Sequence, residues 1–223
     1  MQRALFRVLP FAILLAVAGW VWLARRAASD LITLNVRDMD LAGVVRELED
    51  QSWEAILVRP AAAGKISLDV RDMPLTEVLE RVAGQLNGSW SRVYALNSGS
   101  ESYRVFRNAL VEGSDNVPGW SRLGAQLSRS TPVIPAVSSA SGKALVTLRL
   151  DAEPVEGAAK ALSRVSRVLV LLEDGTSGPV SMDVRDVPAG GVVEDVARQV
   201  HRRCSLCYLL EPPSPSSKAE GAR

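Results

Sequence analysis

The two cysteines, Cys204 and Cys207, have the spacing that comes closest to known chemistry. A Cys-x-x-Cys pair is a redox centre in thioredoxin-like proteins when it begins a helix, where the thiol pKa is lowered. Here the pair follows a predicted helix, so we expect a structural disulfide or two packed thiols, with an exported thiol-disulfide protein as the alternative. Two cysteines and one histidine fall short of the four ligands of a structural zinc site. We therefore predict no metal and no cofactor.

Acid–base chemistry has equally weak support. The single histidine, His201, lies near the end of a predicted helix beside two arginines, which suits a solvated helix end better than a general base. A Val-Arg-Asp triplet recurs at Val36–Asp38, Val70–Asp72 and Val184–Asp186. An aspartate just ahead of a helix can cap its free N–H groups, and the neighbouring arginine can form a surface ion pair. We therefore predict no catalytic residue and no enzyme.

Composition gives no sign of a nucleic-acid partner. Among 223 residues, 26 lysines and arginines nearly balance 25 acidic residues, and aromatic residues make up 5%. A nucleic-acid-binding domain usually carries a clear basic excess, and no Gly-x-x-Gly clamp of a KH-like surface is present. We predict no nucleic acid and no small-molecule substrate as partners.

The first 30 residues form a targeting or anchoring segment. Arg3 and Arg7 precede an apolar run from Val8 to Ala24, and Arg25 and Arg26 follow it. This run is near the lower limit for a membrane-spanning helix and only slightly longer than the apolar part of a signal peptide. The arginine pair favours an uncleaved, single-pass anchor in the bacterial inner membrane, and the N-terminal placement of the segment favours a periplasmic body. Cleavage near Ser29, which would leave a soluble periplasmic protein, is the alternative, and a cytoplasmic body on a reversed anchor is a third arrangement.

An internal repeat determines the predicted organisation. Residues 32–96 align with residues 146–210 at a constant shift of 114, which is 178 minus 64 for the aligned glycines, and no gap is needed. About a third of the aligned positions are identical, far above chance for an ungapped match. Each copy also repeats within itself, because Ile32–Met39 is similar to Ile66–Met73. The chain therefore contains two tandem modules, each made of two strand–helix units.

The residue pattern predicts an α+β fold of two tandem βαββαβ modules with small mixed sheets. In each unit, alternating apolar residues predict a strand, and apolar residues at helical spacing then predict an amphipathic helix. The first turn of each helix is placed at four aligned positions: Asp40, Pro74, Pro154 and Pro188. Short buried strands are expected at Ala55–Val58 and Val168–Leu172, and closing strands at Trp90–Leu96 and Cys204–Leu210.

The remaining segments complete the predicted domain plan. Ser102–Val111 is predicted to be one more strand, paired in a hairpin with residues 92–96. The predicted units are the anchor or signal helix (1–30), the first module (31–111), a linker (112–144), the second module (145–211) and a disordered tail (212–223).

The segment Ile66–Leu79, with its counterpart Val180–Val193, carries a resemblance to a known family. Its strand and its helix opening Pro-Leu-x-x-Val-Leu, in a duplicated unit of this size, resemble the secretin and TonB short N-terminal domain, also called the N0-type domain. The resemblance implies a periplasmic, non-catalytic docking module. No β-rich region that could form a pore follows, so any channel would be another chain. In the second copy, Ala189-Gly190-Gly191 stands where the first has Leu75-Thr76-Glu77.

The function expected from these features is protein docking. A membrane-tethered periplasmic scaffold would present strand edges and helix faces to an envelope protein, such as a secretin or a transporter component. The pattern does not name that partner.

Overall fold

The computed structural model of the chain describes residues 31–60, 62–114, 117–120, 145–166 and 168–211. Within these ranges it has a mixed α+β fold with five helices and small mixed sheets, which confirms the predicted α+β class. The predicted anchor or signal helix, most of the predicted linker and the predicted tail lie outside the described residues. None of the helices in the described ranges combines the length and apolar character needed to cross a membrane.

Each half of the described chain has the same order of elements, strand, helix, strand, strand, helix and strand, and the first half carries an extra helix at its end. The first half consists of β1 (Leu31–Asp40), α1 (Leu41–Ser52), β2 (Ala55–Val58), β3 (Lys65–Pro74), α2 (Leu75–Gln85), β4 (Ser89–Asn97) and α3 (Ser100–Glu112). The second half consists of β5 (Leu145–Pro154), α4 (Val155–Ser166), β6 (Leu169–Leu172), β7 (Pro179–Pro188), α5 (Ala189–Gln199) and β8 (Arg203–Glu211).

These strands form two small sheets and one central sheet. The small sheets are the antiparallel pairs β1–β3 and β5–β7. The central sheet has the order β2-β8-β4-β6, in which β2 runs parallel to β8 and β6 runs parallel to β4. Helices α1 and α2 lie between β1–β3 and the central sheet, and α4 and α5 lie between β5–β7 and the same sheet.

The two halves exchange their closing strands. Strand β2 of the first half pairs with β8 of the second, and β6 of the second half pairs with β4 of the first. The closing strands also pair with each other, and Val93 lies opposite Cys207, its aligned residue in the repeat. An approximate twofold axis therefore passes through this residue pair, and neither half closes its own part of the sheet.

Each hydrophobic core contains residues from the closing strand of the other half. The core of the first half is built on its two helices and includes Tyr208 and Leu210 from β8. The core of the second half likewise includes Tyr94 and Leu96 from β4. Because burial of apolar side chains is the main stabilising contribution, each half depends on the other for its folded state.

The prediction of a strand at Ser102–Val111 was wrong, because the segment belongs to helix α3. Its buried residues Phe106, Ala109 and Leu110 recur at helical spacing. They cover the face of the central sheet opposite α1, α2, α4 and α5, where they pack with Trp120 against β4, β6 and β8. A strand added to an edge would have left that apolar face in contact with water.

The aspartates of the Val-Arg-Asp triplets do not cap helices, which corrects the prediction. Asp38, Asp72 and Asp186 have φ values of 49°, 46° and 52°, and they lie at the register shifts of the small sheets. Aspartate tolerates this left-handed conformation better than most residues. Hydroxyl groups accept the N–H groups at these bulges, as Ser67 does for Asp38 at 3.0 Å and Thr33 does for Asp72 at 3.1 Å. The triplets are therefore structural features of the bulges.

The four aligned helix-start residues lie one position earlier than predicted. Asp40, Pro74, Pro154 and Pro188 are the last residues of their strands, and the helices begin at the next residue. Asp40, Pro74 and Pro188 are the N-cap residues of their helices, and none makes a side-chain capping bond. Proline suits this position because its missing N–H removes one unpaired donor near the helix start.

Trp53 is an exposed bulky residue in the left-handed backbone conformation, and its replacement should stabilise the protein. It ends α1 in the left-handed conformation with φ 60°, and 79% of the residue is exposed. Trp53→Gly should raise the free energy of unfolding by about 0.5–1 kcal/mol, because relief of the left-handed penalty exceeds the added chain entropy of glycine. Urea unfolding followed by circular dichroism measures this change. Trp53→Ala is the control, because it removes the indole but keeps the strained Cβ, and an equal gain in both variants would contradict the explanation.

Candidate functional site

Glutamine side chains cap the outer edges of the small sheets at three aligned places. Gln85, at the end of α2, accepts the Ser67 N–H at 3.1 Å and donates to the Ser67 carbonyl oxygen at 2.9 Å. Gln199 makes the same two hydrogen bonds with Ser181, at 2.9 Å and 3.0 Å. Gln51 accepts the Thr33 N–H at 3.1 Å. Unpaired backbone groups at a sheet edge can template another strand, so these side chains block β1, β3 and β7.

Among the described residues, no side chain caps the fourth edge, that of β5. Val165 occupies the position in α4 that aligns with the three glutamines, and an isopropyl group can neither accept nor donate a hydrogen bond. Thr147 aligns with Thr33, and its hydroxyl accepts the Asp186 N–H at 3.1 Å just as Thr33 accepts that of Asp72. The backbone at Thr147 is therefore held as it is at Thr33, but the amide that faces Thr33 is replaced by valine.

Exposed apolar side chains flank this position. Leu145 is 56% exposed and Val165 is 50% exposed. We use the name β5 edge for the outer edge of β5 at Thr147 together with these two side chains. It combines backbone polar groups with apolar side chains, which are the two features that an added strand recognises.

The small sheet of the second half is also less covered than that of the first. Four of its inward-facing side chains are half-buried where they pack against the core of the second half, and we call them the β5–β7 patch: Leu148, Leu150, Met182 and Val184. Their aligned residues in the first half are buried: Leu34, Val36, Leu68 and Val70. The helices beneath the patch carry smaller side chains, since Ala158, Ala159 and Ala189 replace Val44, Val45 and Leu75. Smaller helix residues leave more of the strand side chains in contact with water.

The edges of the central sheet are capped as well. The Ile56 N–H on β2 donates to the Glu49 carboxylate at 2.9 Å. The Val170 N–H on β6 donates to the Ser163 hydroxyl at 3.3 Å. Among the strand edges in the described ranges, the β5 edge is therefore the one that lacks a side-chain cap.

Of the two arrangements expected for Cys204 and Cys207, the structure has packed thiols and not the possible disulfide, since both cysteines are free. Both lie in the extended strand β8, where three residues span about 10 Å, beyond the roughly 7 Å limit between bridged Cα atoms. Cys204 packs into the core of the second half, whereas Cys207 points to the opposite face, beneath α3. Burial raises the pKa of both thiols to about 12, which is opposite to the shift of a reactive thiol. This geometry does not suit thiol-disulfide exchange.

The raised thiol pKa values predict a loss of stability in alkali. The pKa of each thiol rises from an ordinary value of 9.0 to about 12 in the folded state, so protons leave the unfolded chain first. The stabilisation is complete below about pH 9 and is lost as the pH rises towards about 12. Urea midpoints across this range measure the loss, and the variant Cys204→Ala/Cys207→Val is the control, since valine is the residue aligned with Cys207. An equal decline in the wild type and the variant would contradict the assignment.

The remaining candidates for chemistry lie apart. His201 is exposed and has a φ of 54° just after α5, in agreement with the predicted solvated helix end. In the described ranges, no group of three or more histidine, cysteine, aspartate or glutamate side chains is arranged to hold a metal ion.

The glutamine caps were missed by the reasoning from sequence, although a signal was present. The repeat alignment places Gln51, Gln85 and Gln199 at one position of three units and Val165 at that position of the fourth. An identical polar residue at the end of three helices could have indicated a shared contact. Its partner could not be known, because the packing of the helix end against the strand edge is a tertiary feature.

The resemblance to the short N-terminal domain of secretins and TonB-dependent proteins stays a prediction that depends on the repeated segments. Comparisons of the chain with models of protein families, with curated proteins and with solved structures gave no match.

Proposed function

We propose that the chain is a non-catalytic docking protein. Its residues 1–30 would tether it to the bacterial inner membrane, and its periplasmic body would bind a component of an envelope secretion or transport system. The two halves share one central sheet, so they would present their outer surfaces as one body.

The observation that carries this proposal is the difference between the two small sheets. Both halves have the same order of elements, yet the β5–β7 patch is half-buried whereas its counterpart in the first half is buried. Leu145 and Val165 add two exposed apolar side chains at the β5 edge. Groups of apolar side chains that stay accessible to water on a folded protein commonly mark a contact surface for another protein.

Site-specific photocrosslinking in living cells tests the docking function. Asp183 on β7 and Asp69 on β3 are identical, exposed and aligned in the repeat, so a photoreactive amino acid at each gives a matched pair. We expect one defined envelope protein to crosslink to position 183 and not to position 69. Equal adducts at both positions, or no adduct with an envelope protein, would contradict the proposal.

Membrane fractionation tests the proposed location. A tag at the C-terminus should be degraded by protease added to spheroplasts, and the intact N-terminus should remain in the membrane fraction. A mass that shows cleavage near Ser29 would indicate a soluble periplasmic protein, and a protected tag would place the body in the cytoplasm and contradict periplasmic docking.

A further inference from the structure

We propose that the β5 edge binds an extended segment of a partner protein by strand addition. The inference rests on the proposed docking function and specifies how the partner is held. At the other three edges, the side-chain amide of a glutamine hydrogen-bonds the strand backbone. At β5, a peptide group of the partner strand would make these hydrogen bonds instead.

The glutamine caps show what fits at these positions. The side-chain amide of Gln85 accepts one hydrogen bond from Ser67 and donates another to it, at 3.1 Å and 2.9 Å. Gln199 repeats this arrangement at Ser181. A residue in a neighbouring strand forms the same pair of bonds, with its carbonyl oxygen as acceptor and its N–H as donor. Each glutamine therefore occupies the place of a peptide group from an adjacent strand.

At β5 no side chain of the described residues fills this place, so a peptide group of another strand can take it. Val165 offers no polar atom to Thr147, and half of its side chain is exposed. Leu145, two residues before Thr147, lies on the same face of the strand and is 56% exposed. A bound strand would pair with the backbone at Thr147 and cover both apolar side chains.

This geometry defines the chemistry of the partner. It must be extended over several residues, with free backbone N–H and C=O groups along one side. A proline at the position that faces Thr147 would remove the required donor. An apolar side chain is expected next to Val165, where the other three edges carry the aliphatic part of glutamine. A helix cannot meet these requirements, because its backbone groups are already paired.

The decisive variant is Val165→Gln, which restores the residue found at the three aligned positions. The probe is a phage-displayed library of random linear peptides, selected against the full chain purified in detergent. We expect the selected peptides to alternate apolar and polar residues and to bind one site per chain. Val165→Gln should weaken their binding about tenfold or more, which corresponds to the loss of at least one hydrogen bond. Its unfolding midpoint should be no lower than that of the wild type, since the position is exposed and the new amide can hydrogen-bond the backbone at Thr147.

The matched variant Gln51→Val should create a second site. It places Leu31, Thr33 and a valine where the second half has Leu145, Thr147 and Val165. The number of bound peptides per chain should rise from one to two in isothermal titration calorimetry. A peptide with an N-methylated backbone at the pairing position should bind neither site.

Several results would overturn strand addition by a partner. One is a failure to enrich any peptide, and another is an unchanged peptide affinity in Val165→Gln. A third is a dimer in sedimentation that Val165→Gln dissociates, which would make a second copy of the chain the occupant of the β5 edge.

The crosslinks from position 183 separate this inference from the docking function. Crosslinks that persist in Val165→Gln would overturn strand addition and leave docking intact, whereas peptide binding without envelope crosslinks would overturn docking and leave the β5 edge intact.

Discussion

Leu210→Ala, a change in the last described strand, is expected to destabilise the first half of the fold. Leu210 is 1% exposed and lies in the core formed by α1, α2 and the β1–β3 sheet. Removal of a fully buried leucine side chain leaves a cavity and costs about 2–5 kcal/mol of unfolding free energy. Urea unfolding measures the loss, and hydrogen exchange followed by mass spectrometry locates it. Amide protection should fall first in α1 and α2.

The aligned substitution Leu96→Ala is the matched control for this result. Leu96 is fully buried in β4 of the first half, yet it packs in the core of the second. Its replacement should cost a similar amount and should reduce protection first in α4 and α5. If each substitution affected the helices of its own half, the strand exchange in the central sheet would be contradicted.

Separation of the two halves is expected to abolish folding of each as a monomer. Residues 31–120 and 145–211, produced as separate polypeptides, should each lack a cooperative unfolding transition as monomers. Without β8, the four-residue strand β2 loses its neighbour in the sheet, and Tyr208 and Leu210 leave the core of the first half. Without β4, the same losses affect β6 and the core of the second half. A short strand without a neighbour is not stable, and each separated core would expose apolar side chains to water.

Mixing the two polypeptides should restore the structure as a complex of one copy of each. Sedimentation measures the stoichiometry, and circular dichroism measures the recovery of a cooperative transition. The denatured state of the complex has two chains, so its unfolding midpoint should rise with concentration. A cooperatively folded monomer of either half would show that the modules are independent and would contradict the shared sheet.

Reasoning from sequence was most successful where local patterns decide the structure. The short strand at residues 55–58 has the predicted boundaries, and the closing strands at Trp90–Leu96 and Cys204–Leu210 lie within β4 and β8. These elements are recognisable because period-two alternation and helical spacing reflect contacts with neighbours a few residues away. The ungapped repeat strengthened each assignment, since aligned positions had to adopt the same structure.

The same reasoning was wrong where the environment decides the structure. Tyr103 and Val105 gave α3 an alternating pattern at its start, yet the uncovered face of the central sheet stabilises a helix there. Two cysteines three residues apart lie close together when the local backbone turns, and far apart when it is extended. Cys204 and Cys207 lie in an extended strand, so their side chains are apart. Neither environment can be read from the residues of the segment itself.

Composition, periodicity and the internal repeat were therefore sufficient for the fold class, the order of most elements and their boundaries, because these depend on short-range preferences. The partner of each strand, the glutamine caps and the open β5 edge depended on the folded chain. Residues more than 100 positions apart form the central sheet, as Val93 and Cys207 do. A four-residue apolar strand such as β2 can pair with any strand of matching length, and only the packing of all the helices around the sheet selects β8.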